Sequence, residues 1–284
     1  MSQRYEWFHF SEMDFDELSS LRVQYHQAIQ NVAAVGRTFL AKSEDDQNAV
    51  LSWVPGLWRM AGKWVKANKT FRSSFSLDDC KVYLVDEKVN TIGSFDLAGQ
   101  TYTQVMIWLE EQIGTLLLTH SELSMNLPYE LSDEVFQKGE KFDKFDLQLS
   151  HDFGGLYHSP WIIFSELKNK YESSSDIRIW PHHFDIAMTI TLKETGEEAT
   201  NTTLTLGMFP GDEHNVEPYF YVASWPHIQS EPKQKIVAGT KWVSDDWTGT
   251  VLPLSTLWQE TNQKSYLMSY FQGSINAMSA ALIQ

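Results

Sequence analysis

The sequence predicts an α+β fold in which antiparallel β-sheets are covered by helices, with a long helix near each end of the chain. Apolar residues recur at helical spacing over residues 14–40 and 262–282. Between these two regions, short segments alternate apolar and polar side chains, which is typical of strands. Polar links join successive strand segments directly, and this favours antiparallel pairing over a parallel sheet with crossover helices.

The N-terminal part of the chain predicts a helix, a turn, three strands and a second helix. The first helix covers residues 14–40, and Asp14 or Ser11 would cap its first turn. A turn at Pro55-Gly56 is expected to lead into a short helix that carries tryptophans. The period then changes to that of short strands between residues 70 and 97, and helical spacing returns over residues 101–118.

The middle of the chain predicts an irregular connection. Periodicity is lost over residues 121–158, which is long for a loop inside a compact domain. We therefore predict one compact domain over residues 1–284 and leave open a two-lobed arrangement, with lobes at 1–120 and 150–284. Ser159-Pro160 is expected to begin a third helix, because proline is favoured in a first turn.

The C-terminal part of the chain predicts an antiparallel meander followed by a helix. The expected strands cover residues 176–180, 183–193, 203–209, 218–224 and 248–253. Short links between them favour pairing of neighbours in sequence. The terminal helix would cover residues 262–282, with its apolar side chains on one face.

The amino-acid composition argues against several classes of function. The chain has 37 acidic and 22 basic residues, a net charge of −15 and an isoelectric point near 4.9. This balance argues against nucleic-acid binding, which needs a basic face, and disfavours contact with anionic membranes. Aromatic residues make up 13% of the chain, which is too many for a disordered protein.

The single cysteine, Cys80, excludes an internal disulfide and a thiolate zinc cage. The first residues lack the apolar run of a signal peptide, and the most apolar stretch, Val105 to Leu118, is too short to span a bilayer. We therefore expect a soluble, cytoplasmic protein. The sequence indicates neither a cofactor nor an oligomeric state.

The segment Trp180-Pro-His-His-Phe-Asp185 is the best candidate for a site. In a strand that began at His183, side chains would alternate, so His183 and Asp185 would project from one face. If the protein is an enzyme, His183 would be the general acid or base and Asp185 would orient it.

A second group of polar and aromatic residues is expected near this segment. In a meander, the loop between Phe209 and Pro218 returns towards the beginning of the His183 strand. The predicted ligand-binding residues are Trp180, His182, Asp212, Glu217, Tyr219 and Trp225.

Three motifs resemble an uncharacterised bacterial family, a domain of unknown function. They are Trp180-Pro-His-His-Phe-Asp, Phe209-Pro-Gly-Asp and Glu217-Pro-Tyr-Phe-Tyr-Val. The resemblance is sharp over residues 178–226, although Phe209 stands where the family pattern has serine. It implies that His183, Asp185, Gly211, Asp212, Glu217 and Tyr219 belong to one recurrent unit, but it carries no known activity.

The leading functional hypothesis is that the protein binds a small polar ligand in an aromatic-lined pocket near His183 and Asp185, with catalysis left open. One alternative is a non-catalytic structural or protein-interaction domain. A second alternative is a metal-dependent, hydrolase-like enzyme, because histidine and carboxylate side chains suit a metal ion. The spacing His-His-x-Asp is not a specific metal pattern, so no metal ligands are assigned.

Overall fold

The computed structural model describes residues 5–43, 45–120, 122–124, 127–131 and 139–282. It confirms the α+β class: within these residues there are five α-helices and two antiparallel sheets. The chain divides into two compact units that are each built from separated segments. The first unit comprises Tyr5, Glu17–Gly154 and Arg178–Phe184, and the second comprises Glu6–Asp16, Gly155–Ile177 and the chain from Asp185 onward.

The first unit contains a sheet with two of the predicted helices. The helices are α1 (Phe15–Phe39) and α2 (Tyr102–Leu117), and the strands are β1 (Ser52–Val54), β2 (Arg59–Ala61), β3 (Val65–Lys66), β4 (Thr70–Ser76), β5 (Lys81–Asp86) and β6 (Thr91–Asp96). The strands lie in the order β1-β2-β4-β5-β6, and β3 pairs with β4. All of these pairings are antiparallel.

Local capping explains why both helices begin where the sequence predicts. Asp14 is the residue that precedes α1, and its carboxylate accepts a hydrogen bond from the amide N–H of Asp16 at 2.9 Å. At α2, Thr101 and Gln104 form a reciprocal capping box, with distances of 3.3 Å and 2.8 Å. Each cap satisfies an amide that a helix end otherwise leaves without a partner.

The prediction of a short helix after Pro55-Gly56 is wrong. A single 3₁₀ turn, Pro55–Leu57, is followed at once by β2. Trp58 ends the turn in a left-handed conformation with φ of 52°, and its ring packs edge-on against Trp53 at 5.2 Å. Both tryptophans are buried, so the apolar spacing that suggested a helix comes from a tight hairpin that buries two rings.

The third helix begins earlier than predicted. Helix α3 extends over Leu147–Lys170, so residues 147–158, which the sequence predicted as irregular, are helical. Asp146 accepts the amides of Gln148 and Leu149 and so caps this earlier start. A Cβ at Gly154 would lie 2.2 Å from the Trp58 ring, so this glycine provides room for close packing within the helix.

The second unit contains the other sheet. Its strands are β8 (Ile186–Lys193), β9 (Thr202–Phe209), β10 (Tyr219–Trp225), β11 (Lys241–Val243) and β12 (Gly249–Pro253), and its helices include α4 (Leu254–Trp258) and α5 (Gln263–Leu282). The strands lie in the order β11-β12-β10-β9-β8, which confirms the predicted meander for β8 to β10. The edge strand β11 was not predicted. The short strand β7 (Arg178–Ile179) belongs to the first unit, where Ile179 exchanges backbone hydrogen bonds with Leu51.

One face of the second sheet packs against α5. Leu206, Val222 and Thr250 occupy directly paired positions on β9, β10 and β12, and all three are buried. The Tyr270 hydroxyl of α5 donates to the Thr250 carbonyl at 2.8 Å, and Phe271 packs edge-on against Phe220. No helix among the described residues is both long and apolar enough to cross a membrane.

Candidate functional site

The segment that the sequence singled out, residues 180–185, is a turn rather than the beginning of a strand. The Phe184 amide donates to the Trp180 carbonyl at 2.7 Å, and Phe184 has a φ of 58°. Strand β8 begins at Ile186, three residues later than predicted. The prediction of a strand from His183 is therefore wrong, and the alternation that placed His183 and Asp185 on one strand face does not apply.

Helix α1 explains why this turn forms. His26 Nε2 and Gln30 Nε2 both lie within hydrogen-bond distance of the Pro181 carbonyl, at 2.7 Å and 2.6 Å. The Phe184 side chain is buried and stacks on the His26 ring at 5.1 Å. Burying this ring and satisfying the Pro181 carbonyl offset the cost of a left-handed, non-glycine residue.

The two predicted catalytic residues have different surroundings. His183 is exposed, whereas Asp185 is buried, and the Tyr221 hydroxyl donates to Asp185 Oδ2 at 2.5 Å. Burial and the Asp185 charge hold the pKa of Tyr221 well above its usual value, so this tyrosine remains a donor. Gly207 pairs with Tyr221 on the neighbouring strand, and a Cβ at Gly207 would lie 2.3 Å from the tyrosine ring.

Tyr219 and Asp212 lie at the same end of the second sheet. Tyr219 packs against Phe209 at 5.4 Å, and burial followed by the charges of Asp212 and Asp185 raises the pKa of Tyr219 to about 12. Asp212 itself closes a turn, because its Oδ1 accepts the amides of His214 and Asn215. This hydrogen bonding gives Asp212 a structural role.

Glu217 bonds to a helix, and Trp225 lies far from Tyr219. Glu217 Oε1 accepts the Ser255 amide at 2.9 Å in the first turn of α4 and so serves as a helix cap. Trp225 lies at the opposite end of the seven-residue strand β10, roughly 20 Å from Tyr219. Its indole N–H donates to the Ala199 carbonyl at 3.0 Å, and half of its surface is exposed.

The first unit contains a cluster of polar side chains that the sequence did not indicate. His26, Gln30 and Arg37 lie at four- and seven-residue steps along α1 and therefore share a face. Gln30 Oε1 accepts the Tyr129 hydroxyl at 2.9 Å and Arg37 Nη2 at 3.4 Å. Arg37 Nε and Nη2 also donate to Asp46 Oδ2, at 3.2 Å and 3.1 Å, and the Arg37 side chain is 6% exposed.

His182 completes this group, which we call the Arg37–Tyr129–His182 cluster. The His182 ring lies 5.4 Å from the Tyr129 ring, 5.6 Å from Trp180 and 4.3 Å from His183. Burial, followed by His183 and the Arg37 charge, lowers the pKa of His182 to about 4. His182 is therefore a neutral imidazole near neutral pH.

Two buried atoms in the cluster have unused hydrogen-bonding capacity. Neither Arg37 Nη1 nor His182 Nδ1 has a hydrogen-bond partner among the described residues. An unsatisfied buried polar group is costly, and native proteins satisfy most of them with protein groups, water or a ligand. A polar molecule that formed hydrogen bonds to these two atoms would therefore remove the cost of leaving them unsatisfied.

Searches with the sequence and with the structure found no match among protein-family models, curated proteins or solved structures. The resemblance based on residues 178–226 therefore stays a prediction. Within the described part of the chain, no group of three or more histidine, cysteine, aspartate or glutamate side chains is placed to hold a metal ion. The site has to be interpreted from its own contacts.

Sequence reasoning missed Arg37, Gln30 and Tyr129. A signal was available in α1, since His26, Gln30 and Arg37 place polar side chains at helical spacing in a helix that is otherwise rich in buried apolar residues. Such a polar stripe on a buried helix face indicates a buried polar partner. The partner, the turn around Pro181, is far away in the sequence.

Proposed function

We propose that this protein binds a small polar ligand at the Arg37–Tyr129–His182 cluster, beside the turn that contains His183 and leads to Asp185. The observation that supports this proposal is the pair of buried nitrogen atoms, Arg37 Nη1 and His182 Nδ1, that lack partners among the described residues. Both side chains contact the Tyr129 side chain: the Arg37 guanidinium carbon and the His182 ring lie 5.3 Å and 5.4 Å from its ring centre.

The contacts of Arg37 define the kind of ligand. Its Nε and Nη2 atoms are occupied by Asp46, Gln30 and the Tyr129 hydroxyl, and Asp46 already balances its charge. Arg37 Nη1 needs a hydrogen-bond acceptor, but it does not need a full negative charge. A carbonyl oxygen of an amide therefore suits this position, and a carboxylate oxygen suits it as well.

The surroundings of His182 define the rest of the ligand. A neutral imidazole nitrogen either donates or accepts one hydrogen bond, according to its tautomer. The adjacent Trp180 is partly accessible and His183 is exposed, so a ligand would approach from this side of the turn. A planar molecule would gain stacking contact with Trp180 or Tyr129 while its polar group reaches the two nitrogens.

Benzamide and benzoate are suitable probes, since they share a ring and differ in the charge of the acceptor group. Saturable binding of at least one of them is expected by ligand-observed NMR in the wild-type protein. The Arg37→Gln variant is expected to bind about tenfold or more weakly, because a hydrogen bond to a charged donor is lost. Arg59→Gln, which removes another arginine of the first unit that packs against a tyrosine, should bind like the wild type.

Equal binding by Arg37→Gln and wild type would contradict the proposal, and so would the absence of saturable binding of both probes. Arg37→Lys provides a check on folding, since lysine keeps the positive charge that faces Asp46. That variant should retain the fold while it weakens binding, because lysine cannot reproduce the fork of the guanidinium group.

A further inference from the structure

The second unit contains a cavity that includes none of the residues of the candidate functional site. Its volume is about 340 Å³, at the lower end of the range for small-molecule sites. It is an open cleft lined by the loop Glu231–Thr240 and by Trp242 and Thr250 of strands β11 and β12.

The loop over this cavity is fixed to the body of the second unit. The Tyr266 hydroxyl of α5 donates to the Ala238 carbonyl at 2.5 Å. Ile236 packs so closely on α5 that a Cβ added at Gly273 would lie 3.2 Å from its Cγ2 atom. Gly239 has a φ of 76°, which glycine adopts without strain. The loop is therefore held to α5 at two positions, Ile236 and Ala238.

The opposite wall is formed by two paired strands and contains an indole ring and a hydroxyl group. Trp242 and Thr250 are direct partners in the antiparallel pair, so their side chains emerge on the same sheet face. Thr250 Oγ1 is fixed by the Tyr270 hydroxyl at 3.2 Å and by Ser274 Oγ at 3.0 Å. Thr240 Oγ1 is buried and has no hydrogen-bond partner among the described residues. The cavity thus combines an indole ring with a hydroxyl that can bond to a ligand.

The charges around the cavity differ in sign from the protein as a whole. Lys233 and Lys235 line it together with one acidic residue, Glu231, which gives the lining a net charge of +1 in a chain of net charge −15. Neither lysine forms an ion pair with any described residue. Two lysines at the rim of a cleft attract an anion.

We propose that this cavity binds a small amphipathic anion. The apolar part of the molecule would pack against Trp242 and Ile236, its negative group would face Lys233 and Lys235, and a polar atom would reach Thr240. This site is independent of the Arg37–Tyr129–His182 cluster, because all of its residues belong to the second unit.

Two fluorescent probes of similar shape test this proposal. Anilinonaphthalene sulfonate is an aromatic anion, and N-phenylnaphthylamine has the same ring system without the sulfonate. The wild-type protein should bind the anion saturably, and more tightly than the neutral probe. The double variant Lys233→Ala/Lys235→Ala should weaken the binding of the anion about tenfold and change that of the neutral probe much less.

The matched control is the double variant Lys193→Ala/Lys241→Ala, which removes two exposed lysines of the second unit outside the cavity lining. It changes the net charge by the same amount but leaves the cavity lining intact, so it should bind the anion like the wild type. Ala238→Trp places a large side chain on the cavity lining and should weaken binding of both probes. Absence of saturable anion binding, equal losses in the two double variants, or unchanged binding in Ala238→Trp would overturn the proposal.

Discussion

At two places in the first unit an arginine, a tyrosine and an aspartate lie together, yet the surroundings of the two groups differ. In the Arg37–Tyr129–His182 cluster, Arg37 bonds to the Tyr129 hydroxyl and to Asp46, and it is almost fully buried. At the second position, the Arg59 guanidinium carbon lies 3.6 Å from the centre of the Tyr83 ring. Tyr83 donates to Asp79 Oδ2 at 2.5 Å, so Arg59, Tyr83 and Asp79 form the Arg59–Tyr83 cluster.

Both clusters leave buried polar atoms without partners among the described residues, but the atoms differ in kind. At the Arg59–Tyr83 cluster they are Arg59 Nε, a donor, and Asp79 Oδ1, an acceptor, which complement each other. At the other cluster Asp46 is already bound, and the remaining atoms belong to Arg37 and to a neutral histidine. An arginine, a tyrosine and an aspartate together therefore do not define a ligand site, and the neutral His182 imidazole with its buried Nδ1 atom is the feature that distinguishes one.

The largest difference between the clusters should appear on removal of the arginine. Arg37→Met is expected to lower the free energy of unfolding by about 3 kcal/mol, because Asp46, Gln30 and the Tyr129 hydroxyl lose a buried charged partner. Arg59→Met is expected to cost about 1 kcal/mol or less, since it loses mainly a cation–π contact. Urea unfolding measures both, and equal losses would remove the distinction between the clusters.

A pH effect should separate the clusters next, because the helix that carries Arg37 also carries His26, a buried histidine of lowered pKa. Burial lowers the pKa of His26 from 6.5 to about 3 in the folded state. The unfolded chain therefore binds more protons between these values, and stability falls as the pH drops below 6.5. The expected loss at pH 5 is about 2 kcal/mol for this residue.

Hydrogen exchange of α1 at pH 7 and pH 5 measures this loss. His26→Gln, whose amide can still donate to the Pro181 carbonyl, should remove about half of the difference between the two pH values, because His182, with its pKa of about 4, contributes the rest. His120→Gln replaces an exposed histidine of the same unit and should leave the difference intact. If His26→Gln keeps the full pH dependence, the buried neutral imidazole is not its source.

Removing a single hydroxyl should give the smallest effect. Tyr129→Phe deletes a group that donates to Gln30 and accepts from Arg37, and we expect a loss of about 1–2 kcal/mol in the free energy of unfolding. Tyr83→Phe deletes one partly exposed hydrogen bond to Asp79, and we expect about 0.5 kcal/mol. Thermal or urea unfolding of the pair decides the order, and a larger loss for Tyr83→Phe would be the opposite of this expectation.

Sequence periodicity predicted the elements whose boundaries are set locally. Helices α1, α2 and α5 carry their own apolar spacing, and Thr101 with Gln104 caps α2 from within the helix itself. The early start of α3 was missed because residues 147–158 lack regular apolar spacing, and part of their packing is the close contact of Gly154 with the Trp58 ring. That contact joins residues that are distant in sequence, and no local pattern reveals it.

The candidate site shows the same limit. His182, His183 and Asp185 were singled out from one short segment, but β8 begins only at Ile186, because α1 fixes the preceding turn through the Pro181 carbonyl and the Phe184 ring. Glu217 and Asp212 looked like ligand-binding groups and instead bond to backbone amides. Carboxylates that cap backbone and carboxylates that bind ligands have the same appearance in a single sequence.

The most direct test of the ligand site is NMR of the histidine ring nitrogens during titration with benzamide and benzoate. The proposal predicts that the His182 signals, assigned by their loss in His182→Gln, shift saturably with at least one probe in the wild type and in Arg59→Gln. In Arg37→Gln the same shift should need a probe concentration about tenfold or more higher. Unchanged His182 signals in the wild type, or the same titration curve in Arg37→Gln, would contradict the proposal that Arg37 and His182 bind a common ligand.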